Sequence, residues 1–159
     1  MRRSLVSTID SCGERSLHLG PLLFTCVQAS SCCRIWGANG QAALESASVC
    51  LINGTCLGTE ILKNLVLPGI GAVTVVDGSI VAASDLGNNF FVTQDDIGRP
   101  RAQVTAELLQ ELNTDVDASK FVNEDPAGLI ARTPEFFDEF TAVVVTQLAD
   151  APLLELGRR

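Results

Sequence analysis

One stretch, Ser48 to Asp77, constrains the fold of this chain more than any other. It opens with a short apolar run that ends at Asn53 and Gly54, which predicts a buried strand followed by a tight turn. Apolar residues then recur at helical spacing until Pro68, and a valine-rich run leads to Asp77. Strand, turn, helix and strand within about 30 residues form a βαβ unit, the start of a Rossmann-like fold.

The turn after the first strand departs from the glycine pattern of dinucleotide-binding proteins. That pattern, Gly-x-Gly-x-x-Gly, places a phosphate against free backbone N–H groups at the start of the helix. Here Asn53 and Thr55 stand at the first two glycine positions, and the β-carbon of Thr55 obstructs a phosphate. Gly58 keeps the third position, where glycine permits close packing of helix on strand. The turn favours a structural Rossmann unit, with nucleotide binding as the alternative.

Composition excludes several classes of function. The length of 159 residues allows one domain, and a hydrophobic content of 47% predicts a buried sheet rather than disorder. No apolar run reaches the roughly 18 residues of a membrane span. The net charge of −8 is unfavourable for binding nucleic acid. We therefore expect neither a membrane nor a nucleic acid as a partner.

The six cysteines lack the paired spacing of a zinc site, so we expect no metal and a reduced, intracellular protein. Cys50 lies in the first predicted strand, where a free thiol behaves as a small apolar group. Cys56 lies just before the helix, a position that can lower a thiol pKa. Because no base stands beside it in the sequence, we expect Cys56 only to fill the turn.

Further elements follow from periodicity and from turn residues. The segment Gly78–Asp96 is polar and too long for an ordinary loop, which predicts a functional or interfacial role and contacts that a partner would supply. The expected strand order is 3-2-1-4, with the last strand at an exposed edge of the sheet. The other predicted elements are a short helix at Gln41–Ala47, a helix with Pro100 in its first turn, a weak strand at Ser119–Val122, helical pieces at Pro126–Arg132 and Pro134–Asp138, and a buried strand at Phe140–Thr146.

The two ends of the chain differ from its centre. Residues 1–33 show no helical or strand period, so we expect an unmatched, disordered leader, with a targeting segment as the alternative. Residues 34–148 form the predicted domain. Residues 149–159 are a divergent tail, too short for a crossover helix and another strand. The chain is expected to be a truncated or mis-spliced product.

Several motifs in order resemble the adenylation-like domain of ubiquitin-like-modifier-activating enzymes. They are Arg34–Gly37, Leu57–Leu65, Val76–Asp77, Asn88–Phe91 and Ile97–Ala102. The resemblance implies a Rossmann-like three-layer α/β fold with a mostly parallel sheet, as an incomplete ThiF-type (pseudo-adenylation) domain. Finer matches are most similar to the regulatory, non-catalytic subunits of neddylation activating enzymes, with the sumoylation counterparts next; they lie at Ala43–Ala47, Gly87–Phe91 and Leu109–Asn113.

The resemblance also implies a degenerate nucleotide pocket. Active members of the family hold ATP and magnesium with a glycine-rich turn, a second Asp, an Asn-Arg-Gln-Phe segment and a lysine. Here Ser79 replaces that Asp, Gly87-Asn88-Asn89 replaces Asn-Arg-Gln, and Arg101 replaces the lysine. We therefore expect no catalytic residue, no cofactor and no metal at the corresponding positions, which are Asn53, Gly54, Thr55, Gly58, Asp77, Ser79, Asn88, Asn89 and Arg101.

The implied function is that of a regulatory-subunit fragment in protein neddylation. Such a fragment would bind the catalytic subunit of a heterodimeric activating enzyme, and the ubiquitin-like modifier through that complex, in the cytoplasm and also the nucleus. Ser31 stands where the family has an arginine that reaches the partner's ATP site. The alternative is a Rossmann enzyme, either an ATP-dependent adenylating enzyme or an NAD-dependent oxidoreductase that uses Asp77 to bind the ribose.

Overall fold

A computed structural model describes residues 36–89 and 91–158 of the chain. The predicted leader, residues 1–33 with Ser31, lies outside the described residues, as does Phe90. Contacts divide the chain into two units, Met1–Ala43 and Leu44–Arg159. Residues 36–46 are helical (α1), so the helix predicted at Gln41–Ala47 is confirmed and is longer than predicted.

The second unit alternates strands and helices, as the βαβ pattern predicts. Its strands are β1 (Ser48–Ile52), β2 (Ala72–Val76), β3 (Asp117–Val122) and β4 (Ala142–Val145). Its helices are α2 (Cys56–Val66), α3 (Arg101–Leu112), α4 (Pro126–Arg132) and α5 (Asp150–Leu156). Two 3₁₀ turns lie at Gln94–Asp96 and Pro134–Glu139. Among these helices and turns, none is long and apolar enough to cross a membrane.

The four described strands form one parallel sheet in the order β3-β2-β1-β4, which confirms the predicted order. The register places Val49 opposite Val73 of β2 and Ala142 of β4. β4 is shorter than the predicted strand Phe140–Thr146, and its residues are half-buried or exposed rather than buried. The reason is its place at the sheet edge, where β1 is its one neighbour in the described sheet.

Successive side chains of each strand point to opposite faces of the sheet, and each face has its own core. Val49 and Leu51 of β1 belong to the core on the face covered by α2 and α3. Cys50 and Ile52 belong to the opposite core, which includes residues of α4 and of the Pro134–Glu139 turn. These two cores give the second unit the three-layer α/β fold that the sequence predicts.

The segment Gly78–Asp96 has contacts of its own within the described part of the chain, and the contacts expected from a partner stay a prediction. Val81 and Val92 are buried against Val104 of α3. Asp96 accepts hydrogen bonds from the Thr93 backbone and hydroxyl and from Arg99, and these donors lower the pKa of its carboxyl. The segment ends at Pro100, which lies immediately before α3 rather than in its first turn.

Candidate functional site: the turn after β1

The turn Asn53-Gly54-Thr55 lies at the carboxyl end of β1, between β2 and β4. Asn53 has φ of 64°, in the left-handed region that asparagine occupies more readily than most residues. Its Nδ2 donates to the carbonyl oxygens of Thr146 at 2.8 Å and Gln147 at 3.2 Å. Asn53, which stands at the first glycine position of the dinucleotide-binding pattern, therefore links the turn to the end of β4.

Thr55 occupies the start of helix α2, where a phosphate would bind in a nucleotide-binding member of this fold. It is the N-cap residue, and its Oγ1 accepts a hydrogen bond from the Gly58 N–H at 3.4 Å. The same oxygen lies 3.0 Å from Oγ1 of Thr146, which also lies 2.7 Å from the Asn53 carbonyl oxygen. The Thr55 hydroxyl thus already accepts the Gly58 N–H, which is one of the backbone donors that a bound phosphate would need.

Gly58 brings α2 close to β1. A β-carbon at this position would lie 2.8 Å from Cδ1 of Leu51 and 2.9 Å from the carbonyl oxygen of Asn53. Both distances are shorter than a normal contact, and the second is to a backbone atom, which cannot rotate away as a side chain can. This geometry agrees with the packing role that the glycine pattern predicts for the position.

We expect Gly58→Ala to destabilise the chain by about 1–3 kcal/mol because the added methyl group overpacks the α2–β1 contact. The loss should appear although alanine is the better helix former by about 1 kcal/mol. Urea unfolding followed by circular dichroism measures it. Gly87→Ala is the control, since a β-carbon at the exposed Gly87 would have no neighbour within 4 Å. Equal or greater stability of Gly58→Ala than of the parent chain would contradict the packing role.

Asp77 follows β2 directly, and its side chain is fully buried. Its Oδ2 accepts hydrogen bonds from the Gly54 N–H at 2.8 Å and from Nε of Arg101 at 2.6 Å. Its Oδ1 accepts one from the Ser79 N–H at 2.8 Å. Both oxygens are therefore committed to groups within the fold. The use of Asp77 to bind an NAD ribose gains no support from this geometry.

Arg101 is the first residue of α3, and its side chain is 13% exposed. The guanidinium pairs with Asp77, and its Nη1 lies 3.8 Å from Oδ1 of Asp85. The aliphatic part of the side chain extends over the turn, since Cγ lies 3.8 Å from the position of a β-carbon on Gly54. Arg101 therefore covers both the carboxylate and the glycine of the turn.

An open cavity of about 550 Å³ lies on the outer side of Arg101. Its lining includes Glu60 and Asp85 beside Arg101, and Glu60 is also paired with Lys63. No group of His, Cys, Asp or Glu residues that could hold a metal occurs in the described part of the chain. The residues that line the cavity are Thr55, Cys56, Leu57, Glu60, Asp85, Asn88, Arg101 and Gln147.

The structure places the predicted site residues in different surroundings. Thr55, Asn88 and Arg101 line the cavity, whereas Asp77 and Asn89 are buried. Asn89 Oδ1 accepts hydrogen bonds from the Thr59 hydroxyl at 3.2 Å and from the Phe91 N–H at 3.0 Å, so Asn89 joins its loop to α2. Ser79 is exposed, and its carbonyl oxygen accepts from the Arg101 N–H at 2.9 Å.

Sequence reasoning missed two threonines at this site. Thr146 joins β4 to the turn, and Thr105 of α3 is fully buried beside Gly54. The available signal for Thr146 was a polar residue at the carboxyl end of a strand next to the turn. Thr105 gave no signal, because one threonine within an amphipathic helix has many structural explanations.

The two described cysteines differ in exposure. Burial raises the pKa of the Cys50 thiol to about 12, whereas Cys56 is exposed at the cavity. We expect iodoacetamide to alkylate Cys56 in the native chain and to alkylate Cys50 only after unfolding, because the reagent needs an accessible thiolate. Peptide mass spectrometry after native and denatured labelling measures both sites in one sample. Native labelling of Cys50 as fast as Cys56 would contradict the buried strand.

The sequence profile of the ThiF family matches residues 28–147. The NEDD8-activating enzyme E1 regulatory subunit of Xenopus laevis is 59% identical over 124 residues, which cover 78% of this chain and 23% of that protein. The Arabidopsis thaliana NEDD8-activating enzyme E1 regulatory subunit AXR1 is 53% identical over 125 residues, 79% of this chain and 23% of that protein. The chain therefore spans about a quarter of the length of these relatives.

Solved structures share the fold at much lower identity. The Escherichia coli tRNA N6-threonylcarbamoyladenosine dehydratase TcdA superposes with a TM-score of 0.72 at 19% identity, over 82% of this chain and 54% of that one. The Escherichia coli protein MccB, solved with succinimide, gives a TM-score of 0.68 at 17% identity, over 82% of this chain and 39% of that one. At these identities the likeness concerns the fold alone.

Proposed function

Because the chain belongs to the ThiF family, we propose that it acts as part of the regulatory subunit of a NEDD8-activating enzyme, contributing protein binding rather than catalysis. The names of the relatives at 53–59% identity support the first half of this proposal. They are regulatory subunits, so the partner would be the catalytic subunit of the same activating enzyme. The ubiquitin-like modifier would be reached through that complex.

The observation that supports the non-catalytic role is the inward pairing of Asp77. Its two oxygens accept three hydrogen bonds from Gly54, Ser79 and Arg101, so they have little capacity left for a nucleotide. Asn53 and Thr55 are bonded to the end of β4 at the positions where a phosphate-binding turn has glycine. The residues at the positions of a nucleotide pocket are therefore bonded to other parts of the fold.

Co-purification tests the partner. The chain, with an affinity tag, would be co-expressed with the untagged catalytic subunit of the NEDD8-activating enzyme. The catalytic subunit of the sumoylation-activating enzyme is the matched control, since the sumoylation system is the nearest competing assignment. We expect capture of the first and not of the second. Capture of neither, with the tagged chain soluble, would contradict the proposal. The cytoplasmic and nuclear location stays a prediction.

A further inference from the structure

We propose that the outer edge of β4 and the apolar cavity beside it bind an extended segment of another protein. The segment would carry small apolar side chains at alternate positions and a basic residue at each end. This inference goes beyond the proposed function, because none of the residues that support it belongs to the turn after β1 or to the cavity beside Arg101.

The position of β4 is the first argument. In the described sheet β4 has β1 as its one neighbour, so its outer backbone groups can pair with an added strand. Several peptide-recognition domains bind extended ligands in this way, through main-chain hydrogen bonds at a sheet edge. The side chains of such a ligand alternate between the two faces of the sheet. Those opposite Val143 and Val145 would lie on the face that carries the core with α4.

An apolar cavity on that face is the second argument. It has a volume of about 450 Å³, within the range of pockets that hold ligands. Six apolar side chains line it: Phe137, Phe140, Val143, Val145, Leu153 and Leu156. Its wall on the side of α5 is loosely packed, since that helix has no buried residue and Leu153 is 41% exposed. Side chains of a strand added to β4 would cover this apolar surface.

The charges around the cavity select the partner. Residues 134–157 contain five acidic residues and no lysine, arginine or histidine. A second copy of this chain would bring the same negative charges to the edge, and an anionic lipid surface would also be repelled. A basic segment is attracted instead, so it should bind in preference to another copy. The five acidic residues are all exposed, and they are Glu135, Asp138, Glu139, Asp150 and Glu155.

A synthetic peptide with the sequence Lys-Thr-Val-Thr-Val-Thr-Lys, a neutral fluorophore at its amino end and an amide at its carboxyl end, is the probe. In an extended conformation its lysines and valines share one face, and the threonines occupy the other. Fluorescence anisotropy with the full chain at low ionic strength measures Kd. We expect saturable binding with a Kd on the order of 10–100 μM, as for a small interface. Light scattering should show that the peptide disperses self-associated chains.

Leu153→Ser and Leu154→Ser are a matched pair that tests the cavity. Both leucines are exposed on α5, but of the two only Leu153 lines the cavity. We expect Leu153→Ser to raise Kd by about tenfold and Leu154→Ser to change it by less than about twofold. Circular dichroism checks that both variants fold. Equal effects of the two substitutions would overturn the role of the cavity.

The same contact is tested from the side of the ligand, which needs no variant of the chain. Replacement of both valines of the peptide by serine should raise Kd by about tenfold or more. Unchanged affinity of this peptide would show that no apolar side chain enters the cavity, and would overturn the inference.

Asp138→Lys tests the charge argument, because Asp138 lines the cavity. We expect this variant to raise Kd by about fivefold at low ionic strength. Asp95→Lys is the matched control, since Asp95 is exposed and lies outside residues 134–157. A peptide with glutamate in place of both lysines should bind about tenfold more weakly than the probe. Equal binding of the acidic and basic peptides would overturn the charge argument.

Methylation of the peptide backbone distinguishes strand addition from other modes of binding. Successive N–H groups of an extended strand point to opposite sides, so methyl groups at the odd or at the even positions block opposite edges of the peptide. One of these two isomers should retain binding and the other should lose it. Equal affinities of the two isomers would overturn strand addition.

Two further results would overturn the inference as a whole. One is no binding of the probe to the folded chain. The other is a closed dimer that the probe does not dissociate, which would make a second copy the occupant of the β4 edge. None of these measurements involves the catalytic subunit, so their failure leaves the proposed function as it stands. Failure of the co-purification would likewise leave this inference as it stands.

Discussion

Replacement of Asp77 by alanine is expected to destabilise the chain by about 3–5 kcal/mol. The carboxylate is fully buried and its partner Arg101 is 13% exposed, so the variant leaves a poorly solvated guanidinium with only the more distant Asp85, at 3.8 Å. It also leaves the N–H groups of Gly54 and Ser79 without their acceptors. A loss of this size is comparable with the whole stability of a marginal domain.

Chemical unfolding of the parent chain and of Asp77→Ala measures this difference. Asp115→Ala is the control, because Asp115 is an exposed acidic residue and surface substitutions usually change stability by less than about 0.5 kcal/mol. Addition of Arg101→Met to Asp77→Ala should restore part of the loss, since the uncompensated charge is then removed. A cost of less than about 1 kcal/mol for Asp77→Ala would show that the pair does not hold the turn.

The isolated chain is expected to self-associate through the free edge of β4. The two edges of the described sheet differ in how they are protected. β3 carries the exposed charged residues Asp117 and Lys120, which hinder pairing with another strand. β4 has the sequence Ala-Val-Val-Val and carries no charge along its length. In the described sheet β4 has β1 as its one neighbour, so its outer backbone groups can pair with a strand from another molecule.

Ala142→Lys tests this expectation. Ala142 is exposed on β4, and a lysine on an edge strand hinders pairing with a strand of another molecule. Ala131→Lys is the matched control, since it places the same change on the exposed side of α4. Size-exclusion chromatography with light scattering should show large species for the parent chain and for Ala131→Lys, and mostly monomer for Ala142→Lys. A monomeric parent chain with a cooperative transition at roughly 45–65 °C would show that the β4 edge needs no cover.

The sequence was informative where one pattern was enough to define an element. The apolar runs of β1 and β2 and the stripe of α2 predicted the βαβ unit, and the usual order of such units predicted the sheet. The degenerate turn was also visible, because Asn53 and Thr55 stand where glycine is required. These predictions depend on neighbouring residues, so the sequence alone was sufficient.

The hydrogen bonds that hold the turn and Asp77 were not visible in the sequence. Asn53 is bonded to Thr146, which is 93 residues away, and Asp77 is paired with Arg101, 24 residues further along the chain. Only the folded sheet brings these residues together. The contacts of Val81 and Val92 with α3 were likewise not predicted, because they lie within a segment that the sequence analysis describes as polar.

Calorimetric titration of ATP and of NAD into the parent chain tests whether the residues around the turn bond to one another rather than to a nucleotide. In the structure Asp77 is held by Arg101, and the turn is held by the end of β4. We predict no measurable heat of binding for either nucleotide. A dissociation constant in the micromolar range for ATP or NAD would contradict it.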